Sequence, residues 1–273
     1  MSREREFQFT RGDFEWIREK VTGETGIQLN PSKDQMVYSR LARRLRALGL
    51  PDFASYRKLL EQDNGEEMGQ FVNALTTNLT AFFREAHHFP LLAEHVRTRS
   101  GKVRIWCAAA STGEEPYSIA MTLMEAMGSR ASQAEVVATD IDTDALARAR
   151  AGIYPLEQVC KLEETRIKRF FQRGKGAHKG FARIRPDVAA LLDFQALNLL
   201  AAQWPVTGPF DAIFCRNTMI YFDKTTQARI LERFAPLLKP DGLLFAGHSE
   251  SFSYITDAFQ LRGQTVYTRR LAR

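Results

Sequence analysis

One stretch constrains the fold more than any other: Lys102 to Met124, KVRIWCAAASTGEEPYSIAMTLM. Val103, Ile105 and Cys107 alternate with Arg104 and Trp106 into a run of small residues, the pattern of a strand entering a tight loop. Ala108 to Gly113 carry only small side chains, so backbone there can approach a ligand closely. Glu114-Glu115-Pro116 then opens a helical run, with carboxylates in its first turn and Pro near its start. Ile119, Leu123 and Met124 continue it as one apolar face. Strand, small-residue turn and helix in that order begin a nucleotide-binding α/β domain.

Residues 135–140, Glu-Val-Val-Ala-Thr-Asp, read as a short buried strand ending in Asp140, where a carboxylate can accept from two ribose hydroxyls. Asp142 to Asp144 cap the helix that follows. The first turn lacks GxGxxG and offers one glycine, too few close backbone amides for a diphosphate. Glu114 and Glu115 also put negative charge where a phosphate site would exclude it. A nucleoside with a cationic tail fits better, and S-adenosylmethionine is such a ligand. A Rossmann-like scaffold with an ordinary turn accounts for the same residues and stays open here.

At 273 residues, 44% of them hydrophobic, the chain suits two modest domains or one large one. No apolar run is long enough for a membrane span, and MSREREFQFTRGD has no signal-peptide core. Cys107, Cys160 and Cys215 are scattered and read as reduced core thiols of a cytoplasmic protein. The net charge of +6 favours acidic partners without choosing among them.

Residues 10 to about 95 read as all-helical. Thr10 or Asp13 caps a helix stopped by Gly23 and Gly26, and a second runs from Lys33 to Leu48. On the second, Val37, Leu41, Leu45 and Leu48 share one side, and Lys33, Arg40, Arg43, Arg44 and Arg46 lie on the other. Such a ridge is most often a solvated face; the sharper reading is a docking surface for phosphates or a carboxylate-rich helix. Two further helices span Phe53–Leu60 and Glu66–Leu75. Thr76 to Glu85, TTNLTAFFRE, holds more polar side chains than capping needs, which hints at the lip of a site. His87, His88 and His95 lack partners at ligand spacing, so no metal is expected.

After Arg150 the α/β rhythm breaks. Tyr154 to Phe171 is at most helical, Phe181 to Arg185 alternates as a strand, and Val188 to Asn198 can supply two short extended pieces. GKGAHKG between them makes a hairpin tip. The rhythm resumes with a strand at Phe210–Cys215, an amphipathic helix from Thr225 to Leu238 ended by Lys239-Pro-Asp-Gly242, a strand to Gly247, and a closing hairpin at Phe259–Arg269.

TTNLTAFFRE, AAASTGEEPYSIAM, ATDID, FDAIFCRN with IYF, and LLKPDGLLFAGHSE, in this order, resemble the chemotaxis receptor methyltransferases of bacteria, the CheR family. The resemblance covers nearly the whole chain. It implies an α/β fold: a Rossmann-like S-adenosylmethionine-dependent methyltransferase domain at 96–273, with an antiparallel β subdomain inserted at about 155–197. An all-helical domain with its linker helix is expected at 1–95. The implied activity is protein-glutamate O-methylation of the cytoplasmic domains of chemotaxis receptors, giving glutamyl methyl esters and S-adenosylhomocysteine. A monomer that neither enters the membrane nor binds nucleic acid is expected. The resemblance carries Asn78, Thr80 and Arg84 to the cofactor from the helical side, Glu115 to its amino-acid part and Asp140 to its ribose. It puts Asn198 and Leu199 beside the adenine, and Arg216 and Asn217 along the site. Arg84 and Tyr221 fall near the reacting centre. Arg40, Arg43, Arg44 and Arg46 would meet the acidic methylation helices, and Gly174, Gly176 and Gly180 the peptide tail that some receptors carry.

The chemistry agrees. A glutamate side chain, with a pKa of about 4.3, is already a carboxylate at neutral pH and needs no general base. Residues 216–222, Arg-Asn-Thr-Met-Ile-Tyr-Phe, lack the Asn/Asp-Pro-Pro-Tyr/Phe turn that holds nitrogen substrates in amide and base methyltransferases. A nucleic-acid methyltransferase and a cofactor-binding regulatory module are the two other classes. The first lacks that turn and an aromatic-interleaved basic patch; the second is at odds with intact Arg84, Asp140, Asn217 and Tyr221.

Overall fold

The structure is a computed structural model and describes residues 5–63 and 65–270. Residues 1–4, at the start of the stretch read above for a leader, and 64 and 271–273 lie outside the described residues. By its contacts the chain divides into residues 1–77 with 221–223, and residues 78–220 with 224–273.

In the first unit Thr10 caps α1 (Arg11–Thr25) through a reciprocal capping box with Asp13, and Gly26 ends it in the left-handed region. Gly23 lies inside the helix and stops nothing. Val37, Leu41 and Leu45 of α2 (Asp34–Leu48) are buried, and Asp52 caps α3 (Phe53–Gln62) by accepting from the Ser55 N–H at 2.7 Å. Helix α4 (Glu66–Leu75) buries Phe71, Val72 and Leu75, and Glu67 with them.

That buried carboxylate reorders the basic ridge. Glu67 accepts from Arg44 at 2.7 and 2.5 Å and from the Tyr56 hydroxyl at 2.9 Å. Arg40 donates to the carbonyl oxygens of Ala74 (3.3 Å) and Thr76, around the C-terminal end of α4, where helix carbonyls need outside donors. A four-residue step returns to nearly the same helix face, so Arg40 and Arg44 turn together toward α4. The ridge is therefore not one solvated face. Arg43 stays exposed, and Arg46 pairs with Glu6 at 2.9 Å in the open.

Residues 76–87 form no helix, and in the second unit α5 spans His88–Arg97. Phe89, Leu92 and Val96 of α5 are buried in the same core as Ile105 and Ile119. The chain therefore divides at Thr77 rather than near residue 95, because the apolar face of α5 is buried in the α/β core.

The main sheet begins with β1 (Val103–Cys107), followed by α6 (Glu114–Met127), β2 (Ala134–Asp140) and α7 (Thr143–Ala151). Then comes a small antiparallel sheet: β3 (Ile153–Pro155), α8 (Leu156–Val159), α9 (Glu164–Phe170), β4 (Phe171–Arg173) and β5 (Phe181–Ile184), ordered β3-β5-β4. After α10 (Pro186–Ala189) the chain rejoins the main sheet as β6 (Leu192–Ala196). The elements β7 (Phe210–Cys215), α11 (Lys224–Phe234), β8 (Leu238–Ala246), β9 (Phe259–Gly263) and β10 (Val266–Arg269) complete it. The order is β6-β2-β1-β7-β8-β10-β9; the first five strands run parallel, and β10 is antiparallel to both β8 and β9.

Two boundaries differ from the sequence reading. Strand β6 pairs in parallel with β2 from Val136↔Leu192 to Asp140↔Ala196, so the insertion ends before residue 192 rather than at 197. Only one strand forms in 188–198, because Pro186–Ala189 is helical. Helix α11 stops at Phe234, and Lys239 to Gly242 belong to β8, since Leu238 already pairs with Phe210.

All six residues of β7 are buried, as a parallel strand covered on both faces requires. On one side Trp106 meets Trp204, Phe210 and Phe234; on the other Phe214 stacks on Phe245. Cys107 and Cys215 are buried in this sheet, whereas Cys160 is exposed and is no core thiol. Among the described residues no helix is long and apolar enough to cross a membrane.

Glu67→Ala should lower the stability of the helical unit by about 2–4 kcal/mol, since it strands the buried Tyr56 hydroxyl and the half-buried Arg44. Urea unfolding checks this; an unshifted midpoint would show that water replaces Glu67 at no cost.

Candidate cofactor site

The site lies where β1, β2, β6 and β7 end, the C-terminal edge at which open α/β sheets bind ligands. After β1 the chain turns sharply, with Ser111 at φ 48° and Gly113 at φ 100°. A Cβ on Gly113 would lie 2.6 Å from the Tyr154 hydroxyl and 2.9 Å from the Ala149 Cβ, so only glycine fits. The Tyr154 hydroxyl donates to the Thr112 carbonyl at 2.8 Å, so strand β3 of the small sheet braces the turn.

Asp140 ends β2 as expected. One carboxylate oxygen accepts from the Ser111 N–H at 2.7 Å and the other from the Asp142 N–H at 2.9 Å. A carboxylate has about four acceptor positions, so two remain for ribose hydroxyls. Burial pushes the Asp140 carboxyl up to about 6, against those two hydrogen bonds. Asn78 donates to Asp142 at 2.7 Å and accepts from the Ser111 hydroxyl at 2.9 Å, which joins segment 78–87 to both turns. Thr80 is half-buried in that segment. The Leu197 N–H donates to the Asp140 carbonyl at 2.8 Å, so Asn198 and Leu199 leave β6 level with the end of β2. Leu199 is buried, and Asn198 accepts from the Leu200 N–H at 2.9 Å.

At the start of α6 both glutamates turn inward. Glu114 accepts from the Thr112 hydroxyl at 2.7 Å, and Glu115 pairs with Arg216 at 2.6 Å. Burial raises both carboxyls, and the Arg216 charge works against it at Glu115. The helix N-terminus thus carries carboxylates of its own, which suits a cationic tail and not a phosphate. These groups fit S-adenosylmethionine.

Arg216 and Asn217 follow β7, where the sequence placed them. Arg216 is buried and bridges Glu115, Glu85 at 3.2 Å and the Arg84 carbonyl at 2.5 Å. Its Nε is buried without a hydrogen-bond partner among the described residues, a spare donor beside the site. Asn217, at φ 56°, donates to Glu85 at 3.1 Å. Arg84 lies between Phe83 and Glu85, both at positive φ, and donates to the Leu79 carbonyl at 2.7 Å. Tyr221 groups with the helical unit, where its carbonyl accepts from the Gln28 N–H at 2.8 Å.

Sequence reasoning missed the carboxylates that hold these groups. Burial opposes ionisation of Glu85, yet hydrogen bonds from His248 and Asn217 and the Arg216 charge keep its carboxyl at about 2. Glu250 accepts from four backbone N–H groups, those of Gly247, Asn217, Thr218 and Ile220. A carboxylate next to Gly-His-Ser beyond a buried strand was the available signal. His88 is buried against the Gln264 carbonyl at 3.0 Å, and burial lowers it to about 4. Among the described residues no group of three or more His, Cys, Asp or Glu could hold a metal ion.

Asp140→Ala should weaken S-adenosylhomocysteine binding about ten- to hundredfold in calorimetric titration, the loss of charge-assisted hydrogen bonds worth roughly 1.5–3 kcal/mol. Ribose hydroxyls placed there would donate to the ionised carboxylate, so ligand binding would disfavour its protonation. Affinity should therefore fall about tenfold from pH 7.5 to 5, below the Asp140 value of about 6, and stay flat in the alanine variant. Equal pH slopes would clear Asp140 of the ribose.

Comparison with known proteins agrees with this geometry. The family described as CheR methyltransferase, SAM binding domain, matches residues 78–268, and its all-alpha domain matches residues 12–76. A chemotaxis protein methyltransferase of Klebsiella aerogenes is 60% identical over 255 residues, 93% of this chain and 88% of the relative. That of Escherichia coli K12 is 59% identical, covering 93% and 89%. Chemotaxis protein methyltransferase 2 of Pseudomonas aeruginosa is 55% identical over 266 residues, 96% of this chain and 95% of the relative. With both of its domains matched, residues 12–76 and 78–268, this chain belongs to the CheR methyltransferase family.

Proposed function

We propose that this S-adenosylmethionine-dependent methyltransferase esterifies glutamate side chains in the cytoplasmic domains of chemotaxis receptors, releasing S-adenosylhomocysteine. The observation that carries the reading is a match to chemotaxis methyltransferases along more than nine-tenths of the chain, helical unit included. When bound, the cofactor supplies an electrophilic methyl on a cationic sulfur. The chain's own residues do the rest. Asp140 holds the ribose, Asn198 and Leu199 flank the adenine, and Asn78, Thr80, Glu115, Arg216 and Asn217 surround the amino-acid part. The incoming glutamate is already ionised, so alignment and removal of water are what it needs.

Arg84 is proposed to orient the accepting carboxylate. One guanidinium nitrogen of Arg84 is spent on the Leu79 carbonyl, which leaves the rest of its fork for a planar anion. Arg84→Lys keeps the charge and loses the fork. It should cut transfer of labelled methyl to receptor fragments at least about tenfold, while the parent releases base-labile methanol from its product. Wild-type turnover in that variant would make Arg84 structural, and base-stable label would exclude a carboxyl ester.

Receptor docking is assigned to two surfaces. On the helical unit Arg43 and Arg46 remain exposed, whereas Arg40 and Arg44 hold the protein's own groups. On the small sheet a groove of about 390 Å³ combines Leu156, Ile167 and Phe171 with Lys168, Arg173 and Arg185, suited to an aromatic and acidic receptor tail. Gly174, Gly176 and Gly180 shape the adjoining turn. A Cβ on Gly174 would lie 2.1 Å from the His178 carbonyl oxygen, and Gly176 and Gly180 sit at φ 56° and 96°. Such a tether raises the local enzyme concentration to about millimolar. The chain is proposed to act as a monomer.

Excising Lys175 to Lys179 should abolish binding of the receptor tail peptide and spare methylation of tail-less fragments. Arg43→Glu with Arg46→Glu should do the reverse, raising KM for tail-less fragments and flattening its salt dependence. Tail binding that survives the excision, measured by titration, would move the tether elsewhere; an unchanged KM in the charge-reversed pair would do the same for the helical surface.

A further inference from the structure

Two carboxylates lock together the loops that follow β7 and β8. Glu250 is buried, with the N–H groups of Gly247 at 2.6 Å, Thr218 at 2.8 Å, Asn217 at 2.9 Å and Ile220 at 3.3 Å on its oxygens. Gly247 admits no side chain, since a Cβ would lie 2.4 Å from Asn217 Nδ2. The next residue, His248, therefore leaves a fixed piece of backbone. Its Nδ1 is 2.9 Å from Glu85 Oε1, the oxygen that also accepts from Asn217 Nδ2 at 3.1 Å. The imidazole is thus a near neighbour of Asn217, at the sheet edge that holds the cofactor residues.

The hydrogen bonds fix what the ring can offer. Glu85 is ionised and can only accept, so Nδ1 of His248 carries a proton. Nε2 is then an acceptor in the neutral ring and a donor in the imidazolium. His248 is 65% exposed while Glu85 is 10% exposed, so the ring is the accessible face of the network. Glu85 and Glu115 both pair with one buried cation, Arg216, so two carboxylates share a single guanidinium beside the site. An arriving carboxylate needs positive charge on the accessible side. His88, 3.8 Å from Glu85, is fully buried and neutral and cannot supply it.

We propose that His248, as the imidazolium held by Glu85, donates its Nε2–H to the methyl-accepting carboxylate of the receptor. This assigns to His248 a part in substrate binding, and it rests on the reading of the chain as a glutamate methyltransferase. No proton moves in the step: the carboxylate oxygen bonds the methyl carbon as the carbon–sulfur bond breaks, and that bond's electron pair stays on sulfur. His248 holds the carboxylate oxygen that does not attack.

The test uses the full chain with a receptor cytoplasmic fragment and labelled cofactor, alongside S-adenosylhomocysteine titration. His248→Gln keeps a hydrogen-bond donor and loses the cation. It should raise KM for the fragment about tenfold, change kcat less than about threefold and leave S-adenosylhomocysteine affinity within about twofold. His248→Lys restores a cation and should bring KM back to within about threefold of the parent. An unchanged KM in His248→Gln overturns the proposal. Equal damage in both variants, or cofactor affinity lost in parallel, overturns it in favour of a purely structural anchor. If the parent transfers no methyl to any receptor fragment, the glutamate methyltransferase reading falls first and this proposal with it.

Discussion

The α/β unit depends at its functional edge on one buried guanidinium. Arg216 leaves the end of β7 and meets Glu115 on α6, Glu85 from segment 78–87 and the Arg84 carbonyl. The two carboxylates come from distant parts of the chain, and Glu115 in particular would lose the charge that offsets its burial. The residues around them hold unusual backbone. Phe83, Glu85, Ser111 and Asn217 all have positive φ, a conformation that costs a non-glycine residue energy and persists where surrounding contacts over-determine it. Carboxylates hold three of them, through the Ser111 N–H on Asp140 and the Asn217 N–H and amide on Glu250 and Glu85, while the Phe83 N–H donates to the Ser118 hydroxyl.

The same economy appears in the first turn. A helix N-terminus with free N–H groups attracts anions. Glu114 and Glu115 occupy that position in α6, one tied to Thr112 and the other to Arg216. The site therefore selects against phosphate with groups it also needs for structure. Tyr154 closes the turn from the small sheet, and the absence of a side chain at Gly113 is what lets it approach. The inserted sheet is thus coupled to the cofactor turn by one hydrogen bond, whatever else its outer groove takes up.

Much of this was legible in the sequence because it follows from local rules. The alternation of Val103 to Cys107, the small residues before Glu114 and the acidic end of β2 each depend on a few neighbouring residues. The errors came where partners are distant in sequence. Arg40 and Arg44 read as part of one outward ridge, solvated or docking, because Glu67 and the end of α4 lie more than twenty residues away. Strand β6 was assigned to the insertion because a short, half-buried strand carries no mark of the sheet it will join. Glu85 and Glu250 went unassigned for the same reason, since most of their partners, at positions 216–220 and, for Glu85, 248, are distant in sequence. The position of Asp140, by contrast, follows from its own strand alone.

The charge balance of the site suits ester formation in particular. A carboxylate and a sulfonium carry opposite charges before transfer, and the ester and thioether carry none afterwards. Charge therefore disappears along the reaction, and water, which solvates the separated charges best, opposes it. A site gains by excluding water without putting equally strong fixed charges in its place, since those would stabilise the reactants instead. The carboxylates here meet that condition by being engaged already: Glu115 on Arg216, Glu250 on four backbone N–H groups, Glu85 on Arg216, Asn217 and His248. They shape the loops while their fields are largely answered locally. What then distinguishes the attacking carboxylate from any other anion is the direction of the few donors left over, and direction is what a network built from backbone N–H groups and a buried guanidinium holds best.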